Sequence, residues 1–226
     1  MSHACTGDGR NVFINCPFTS DFRPLFEAAL FTIIACGFNP RTALEAADGS
    51  EVRIDKIVRI AGESRYSIHD LSAVAIDTAT GLPRFNMPFE LGLVIGLKRS
   101  GVAKYRGHSL LVLEHTKYSY QKCLSDIAGQ DTHAHGGEVA NLIPTIRNWL
   151  SIEAASDVRR GGATIARQYA QFKRRMPGLC REAGIRRKDL SYLDLVQLMR
   201  TWLAEAASVD ERIINLAMKK LLEFRR

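Results

Sequence analysis

The chain has 226 residues, 46% of them hydrophobic and 24% charged, so it can bury one sizeable core and has the composition of a globular rather than a disordered protein. No apolar run reaches the roughly 18 residues of a membrane span, and the polar start MSHACTGDGR lacks the order of a secretion signal, so we expect a cytoplasmic protein. The net charge of +7 is uneven, because residues 1–150 hold 15 Lys+Arg and 15 Asp+Glu whereas residues 151–226 hold 16 and 9.

Short β-like runs alternate with helical ones as far as residue 154. Strands are predicted over 11–16, 38–44, 64–72 and 109–115, with a weak fifth near 130–135. Helices are predicted over 21–37, 50–64, 84–99, 119–129 and 138–154. This succession predicts a doubly wound, mostly parallel α/β sheet of flavodoxin-like size. In such sheets the ligand crevice lies at the carboxyl ends of the strands, which selects the loops after Cys16, Asp70 and His115.

The composition changes around SDVRRGGAT, residues 156–164, and the chain from about residue 155 onward is predicted to contain helices only. They are predicted over 163–176, 189–207 and 209–225, with Pro177, Gly178 and Gly184 breaking the first from the second. We therefore predict an α/β domain at 1–152 and a basic helical region at 153–226. That region lacks interleaved aromatic residues and any DNA-reading motif, so a solvated surface, a homo-oligomer contact or a partner protein is favoured over nucleic acid.

The segment RFNMPFELGLVIGLKR places one carboxylate, Glu90, in an otherwise apolar helix. Asn86 and Glu90 are four residues apart and share a face near the helix N-terminus, where the macrodipole favours a negative group. Gly92 is expected to let a strand or a ligand approach closely. Two interpretations are open: Glu90 faces water or pairs with Arg84, or it carries out chemistry in a poorly solvated cleft.

The run FNMPFELGLVIG resembles the N-x-x-x-E-L-G-x-x-x-G segment of TIR-like nucleotide-binding proteins and the F-E-L-G-x-A segment of nucleoside 2-deoxyribosyltransferases. NVFINCPF is similar to the first strand and loop of TIR-type domains, YSIHDLS to the strand that ends in Asp before the glutamate helix, and SLLVLEH to the strand after it. The likeness covers about residues 10–150. Both families have Rossmann-like doubly wound sheets. In this chain, unlike most TIR enzymes, Met87, Pro88 and Phe89 precede the glutamate.

The resemblance implies that one glutamate, Glu90, breaks or exchanges an N-glycosidic bond. Departure of the base makes the sugar cationic, and a fixed carboxylate stabilises or captures that cation. By the same resemblance Asp70 orients the sugar as a second catalytic group. The predicted substrate-binding residues are Cys16, Phe18, Arg23, Ser72, Asn86 and Met87.

Several of these residues also have structural interpretations. Ser72 either binds a phosphate or caps a helix start, and Arg23 meets a diphosphate at the start of the first helix. Cys16 is either a small buried residue or a thiol nucleophile. His69, next to Asp70, is expected in the core because neighbouring strand residues point to opposite faces.

No cofactor or metal is expected. The sequence has neither G-x-G-x-x-G nor G-x-x-x-x-G-K-[ST], which disfavours a dehydrogenase or a P-loop protein, and NAD enters only as a substrate. Asp131, His133 and His135 are spaced like metal ligands, but a solvent loop is the preferred interpretation. The five cysteines have no paired spacing and are interpreted as reduced thiols.

The leading hypothesis is a TIR-like NAD glycohydrolase or ADP-ribosyl cyclase in bacterial immunity against phage, as the resemblance implies. A deoxyribosyltransferase-like exchange on nucleosides is the second hypothesis. The third is a non-catalytic module that binds a nucleotide or a partner and signals by assembling.

Overall fold

The computed structural model describes residues 9–74, 84–122, 124–127, 129–154, 158 and 160–223. Five parallel strands form one sheet in the order β2-β1-β3-β4-β5. The strands are β1 Asn11–Asn15, β2 Asn39–Arg41, β3 Tyr66–Asp70, β4 Ser109–Glu114 and β5 Thr132–Ala134. The predicted doubly wound α/β fold is confirmed.

Six α-helices accompany the sheet within the described residues. They are α1 Arg23–Ala35, α2 Arg53–Gly62, α3 Asn86–Arg99, α4 Val139–Glu153, α5 Gly162–Glu182 and α6 Tyr192–Glu223. Helix α1 packs with α4, and α2 packs with α3. Helix α1 leads from β1 to β2 at one edge of the sheet, whereas α2 and α3 lead from β2 to β3 and from β3 to β4 in the opposite direction across it. Right-handed crossovers therefore place α1 on one face and α2 and α3 on the other, and α4, which follows β5, lies with α1. The order therefore reverses between β1 and β3.

The central strands are buried on both faces. Every residue of β1 and β3 is buried, as expected for parallel strands covered by helices on each side. Phe13 of β1 packs with Ile57 and Ile60 of α2 and Val94 of α3. Full burial of side chains of this size contributes about 1.5–3 kcal/mol each, so this cluster fixes α2 and α3 against the sheet.

A second cluster fixes the first two turns of α3. Met87 and Leu91 pack with Leu71, Val112 and Tyr120. Because these side chains point toward the sheet and the β4 side, the face that carries Asn86 and Glu90 is turned toward α2. The packing thus sets where Glu90 lies.

One predicted element of the α/β part differs in the structure. The predicted helix at 119–129 contains only two short 3-10 turns among its described residues, Ser119–Lys122 and Ser125–Ile127. The carboxylate of Glu114 accounts for the first, since it accepts hydrogen bonds from the backbone N–H groups of Tyr118 and Tyr120 and holds the chain in a turn. The run AVAIDTATGLP at 73–83 is predicted as a polar loop, and residues 75–83 of it lie outside the described residues.

Of the helical breaks predicted near the C-terminus, the one at Gly184 is confirmed, whereas those at Pro177–Gly178 and near residue 208 were wrong. Helix α5 continues through Pro177 and Gly178, because Met176, Leu179 and Cys180 are buried and hold the helix on both sides of the proline. It ends only before Gly184, whose φ of 68° suits glycine. The helices predicted at 189–207 and 209–225 form one continuous helix, α6.

The chain divides into two compact units, residues 1–169 and 170–226. The division falls within α5 rather than at the expected 152/153 position. The first unit contains the whole sheet and every candidate site residue. The second unit is helical, with Phe172 packed edge-on against Trp202 at 5.9 Å between ring centroids.

Three cysteines among the described residues, Cys16, Cys36 and Cys180, are buried free thiols, in agreement with the predicted reduced state. None of the helices in the described part of the chain combines the length and apolar character needed to cross a membrane.

Candidate active site

Glu90 lies beside a cavity of about 200 Å³ between α2 and α3. Its side chain is only 10% exposed. Asn86, one turn earlier on the same face, lines the same cavity, as their spacing predicts. The other lining residues are Arg53, Ile54, Ile57, Phe89 and Leu93. The rim is apolar and partly open, since the side chains of Ile54 and Phe89 are exposed.

Arg53 is the charged neighbour of Glu90 in this cavity, in place of the predicted Arg84. The Arg53 Nη2 atom lies 3.8 Å from Glu90 Oε1, too long for a hydrogen bond, and the Arg53 side chain is 62% exposed. Burial raises the pKa of Glu90 above its ordinary 4.5, and Arg53 opposes that rise. The carboxylate is therefore poorly hydrated and only loosely neutralised, which suits a group that must meet a developing positive charge.

A second cavity of about 340 Å³ lies at the carboxyl edge of the sheet. The loops that line it follow β1, β3 and β4, the three loops that the fold rule selects, with β5 adding a fourth. Its polar lining residues are Thr19, Asp21, Ser72, Arg84, His115 and His135. Glu90 does not line this cavity, so the predicted site residues are divided between two neighbouring places.

Asp70 is buried at the end of β3 beneath this second cavity. Its Oδ1 accepts a hydrogen bond from the backbone N–H of Ser72 at 2.9 Å, and its Oδ2 lies 3.0 Å from Nε2 of His135. This is the Asp-x-Ser cap at a helix start that was one of the two predicted alternatives for Ser72, and its capping side chain is that of Asp70. Both carboxylate oxygens have protein partners, so Asp70 holds the loop after β3 and the segment after β5 together.

Asp70, His135 and Ser72 do not form a catalytic triad. Ser72 Oγ and Asp70 Oδ2 both face the same ring nitrogen, Nε2 of His135, each at 3.0 Å. The other nitrogen, Nδ1, accepts a hydrogen bond from the backbone N–H of Gly137 at 2.9 Å. The proton of neutral His135 is therefore on Nε2, and no lone pair remains to take a proton from Ser72.

His135 corrects the sequence interpretation of its segment. It was assigned with Asp131 and His133 to a solvent loop, yet His135 is buried. No group of potential metal ligands occurs in the described part of the chain. The histidine was missed because its partner, Asp70, is 65 positions away. The signal that could have found it was its position just after a strand, at the edge where ligands bind.

Cys16, directly after β1, is buried between the two places. Burial raises the pKa of its thiol well above the ordinary 9.0, and the nearby carboxylates of Asp70 and Glu90 raise it further. Of the two predicted alternatives, the small buried residue fits this environment, because a nucleophilic thiol requires a lowered pKa.

Two predicted binding residues lie near the start of α1. Phe18 is 40% exposed and packs edge-on against Phe26, with 5.4 Å between ring centroids. Arg23 donates from Nε to Glu27 at 2.9 Å, so part of its guanidinium already has a protein partner. Neither residue lines either cavity.

The side chain of Met87 is buried in the core, but its carbonyl has a defined role. The Nδ2 group of Asn15, the last residue of β1, donates to that carbonyl at 2.9 Å. This bond joins the end of β1 to the first turn of α3 and contributes to holding Glu90 in place. No local sequence pattern indicates it, because the two residues are 72 positions apart.

Glu114 is a further buried carboxylate that sequence reasoning missed. It accepts hydrogen bonds from Ser119 Oγ at 3.0 Å, from the backbone N–H of Tyr118 at 2.7 Å and from the hydroxyl of Thr132 in β5. These bonds stabilise the segment that carries His115 at the second cavity. Glu114 supports the site and lines neither cavity.

Comparison of the chain with protein-family models, with curated proteins and with solved structures gave no match. The resemblance drawn from short motifs therefore stays a prediction, and a function for the chain rests on the geometry of its cavities.

Proposed function

We propose that this protein cleaves the N-glycosidic bond of a nucleotide at Glu90, with NAD⁺ as the first substrate to test. The observation that carries the proposal is a nearly buried carboxylate, held by core packing on both sides of its helix turn, beside a cavity whose described lining includes no second carboxylate. The motif resemblance to TIR-like proteins points to the same residue.

The chemistry needs only one carboxylate. The bond between ribose C1′ and the nicotinamide nitrogen breaks, and its electron pair leaves with nicotinamide, which departs neutral because it was cationic in NAD⁺. The sugar carbon becomes positive, and Glu90 stabilises or captures it until the oxygen of water forms the new bond and releases a proton. A hydroxyl of the same nucleotide in place of water gives a cyclic product.

The neighbours of Glu90 have roles in this scheme. Arg53 is exposed at the rim and pairs with a phosphate of the nucleotide. When substrate binds, this pairing weakens the interaction between Arg53 and Glu90. Phe89 offers an exposed ring on which a base can stack, and Asn86 offers an amide to the ribose hydroxyls. We propose a role in bacterial defence and activation by self-assembly on the motif resemblance alone.

The test is release of nicotinamide from NAD⁺ by the purified full-length protein, measured by chromatography at low and high protein concentration. We expect Glu90→Gln to reduce the rate by about 100-fold or more, since the isosteric amide cannot balance the cationic sugar. Asp55→Asn is the matched control, because Asp55 is an exposed carboxylate on α2 that does not line the cavity. Full activity in Glu90→Gln contradicts the assignment.

A second candidate, a nucleotide-binding module without catalysis, is supported by the larger cavity at the carboxyl edge. It sits where doubly wound sheets bind ligands, away from Glu90. If NAD⁺ stays intact while ADP-ribose raises the Tm of both wild type and Glu90→Gln, this second function is supported. Base exchange on a deoxynucleoside, with NAD⁺ untouched, supports the deoxyribosyltransferase alternative. In that alternative one carboxylate oxygen of Asp70 must be free to orient the sugar.

A further inference from the structure

A buried chain of side-chain hydrogen bonds runs through the core from the end of β1 to the beginning of β4. Asn15 Nδ2 lies 3.1 Å from Nδ1 of His69, and Nε2 of His69 lies 3.0 Å from Ser67 Oγ. Ser67 Oγ lies 2.9 Å from Nε2 of His108, whose Nδ1 lies 2.9 Å from the carbonyl oxygen of Ser64. The four side chains in the chain are all buried.

The groups at the two ends of this chain determine which atom donates and which accepts in each of its hydrogen bonds. The Asn15 amide nitrogen faces the Met87 carbonyl, so it is the donor, and Nδ1 of His69 must accept. The proton of neutral His69 is then on Nε2 and is donated to Ser67. At the other end a carbonyl can only accept, so Nδ1 of His108 carries the proton and Nε2 accepts from the Ser67 hydroxyl.

Both histidines are held neutral by their surroundings. Burial lowers the pKa of His69 to about 3, and it also lowers the pKa of His108 from 6.5. The charged groups that face His108 are Lys98 from α3, Lys104 from the turn before β4, and Glu63 and Arg65 from the segment before β3. Lys98 lowers the pKa of His108 further, and the carbonyl of Ser64 opposes the decrease.

We propose that His69, Ser67 and His108 are positioning residues for Glu90: they fix the orientation of the Asn15 amide, which holds the first turn of α3 against the end of β1. None of the three lines the Glu90 cavity, so they act through Asn15 and the helix. A proton added to Nε2 of His108 turns that nitrogen into a donor, so the Ser67 hydroxyl loses its acceptor and the single direction of the chain is lost between Ser67 and His108. The catalytic consequence of this proposal rests on the proposed function of Glu90.

The wild-type protein alone tests the direction of the chain. Long-range ¹H–¹⁵N NMR correlations distinguish the two neutral forms of each imidazole ring. At pH 7.5 we expect the proton on Nε2 of His69 and on Nδ1 of His108. A proton on Nδ1 of His69 contradicts the proposal outright, and this measurement requires no variant to fold.

Ser67→Ala removes the middle of the chain, and Ser64→Ala is a matched control. The Ser64 hydroxyl is also buried and donates to the carbonyl of Ile60, but only the backbone of Ser64 belongs to the chain. We expect amide exchange over residues 86–94 to become about tenfold faster in Ser67→Ala and to stay unchanged in Ser64→Ala. Equal exchange in the two variants overturns the proposal.

Activity separates this proposal from the proposed function. If NAD⁺ is cleaved, Ser67→Ala should lower kcat by between about 10-fold and about 100-fold with little change in KM, because the carboxylate is misplaced and not removed. An unchanged kcat overturns the catalytic consequence. If wild-type protein leaves NAD⁺ intact, the proposed function fails. The histidine tautomers and the amide exchange rates then still decide whether the hydrogen-bond chain holds α3 in place.

Discussion

At the scale of single residues, Glu90 shows how a candidate site works against stability. Burial of a carboxylate disfavours its charged form, and the exposed Arg53, 3.8 Å away, compensates only in part. A protein without use for that charge would be more stable with a neutral side chain of the same shape. The energetic cost of this uncompensated charge can therefore be measured from the free energy of unfolding, without knowledge of the substrate.

We expect Glu90→Gln to have a higher free energy of unfolding than wild type at pH 7.5. Because the folded pKa of Glu90 is raised above its ordinary 4.5, wild type loses stability relative to the variant as the pH rises from 4.5 through the folded pKa. Below that window both side chains are neutral and the difference vanishes. Urea unfolding at several pH values measures this difference in the free energy of unfolding, with Asp55→Asn as the control. A difference that does not change with pH would mean that burial does not penalise the charge of Glu90.

At the scale of elements, α3 is fixed by what it packs against. Met87 and Leu91 point to one core cluster and Val94 to another, while the exposed side carries Gly92 and Gly96. Gly92 was expected to allow close approach of a strand or ligand, but a Cβ added there meets no atom of the described residues within 4 Å. For a strand that expectation was wrong, because Gly92 faces solvent, whereas close approach of a ligand stays a prediction.

Gly92→Ala should therefore raise the free energy of unfolding by about 0.5–1 kcal/mol, since glycine in an exposed helix interior costs conformational entropy. Gly162→Ala, at the first residue of α5, should instead lower it by about 1 kcal/mol, because the new Cβ would lie 3.2 Å from both Cα and Cβ of Pro144. Denaturant unfolding of the two variants measures both. Destabilisation by Gly92→Ala would restore the close-approach interpretation.

The elements also show which parts of the molecule the sequence could reveal. Strands β1, β3 and β4 were predictable because continuous apolar runs and strand–helix alternation are local signals. Asn86 and Glu90 were predictable as a pair because four residues make one helical turn. Arg53, His135 and Asn15 were not, because each meets its partner only after distant segments fold together. The predicted helix end at Pro177 was wrong because the burial of side chains on both sides of the proline outweighs its local tendency to end a helix.

At the scale of the whole molecule, net charge and buried histidines are unevenly distributed. The positive excess lies after residue 150, whereas the buried histidines His69, His108 and His135 lie in the α/β unit. The two tryptophans also divide, with Trp149 in the first unit and Trp202 in the second. A variant with Trp202→Phe therefore reports on the α/β unit through the fluorescence of Trp149 alone.

We expect the α/β unit to lose stability as the pH falls from 6.5 toward 3, because His69 is neutral when folded and binds a proton when unfolded. Each histidine held neutral in this way contributes a slope of about 1.4 kcal/mol per pH unit. In the Trp202→Phe background, His108→Gln should make the slope shallower just below pH 6.5, because the pKa of His108 is lowered in the folded state. Glu90 contributes with the opposite sign in both proteins, so it cancels from the comparison. Equal slopes for His108→Gln and wild type would mean that His108 is protonated in the folded state, which is incompatible with a hydrogen-bond chain in which its Nε2 accepts from Ser67.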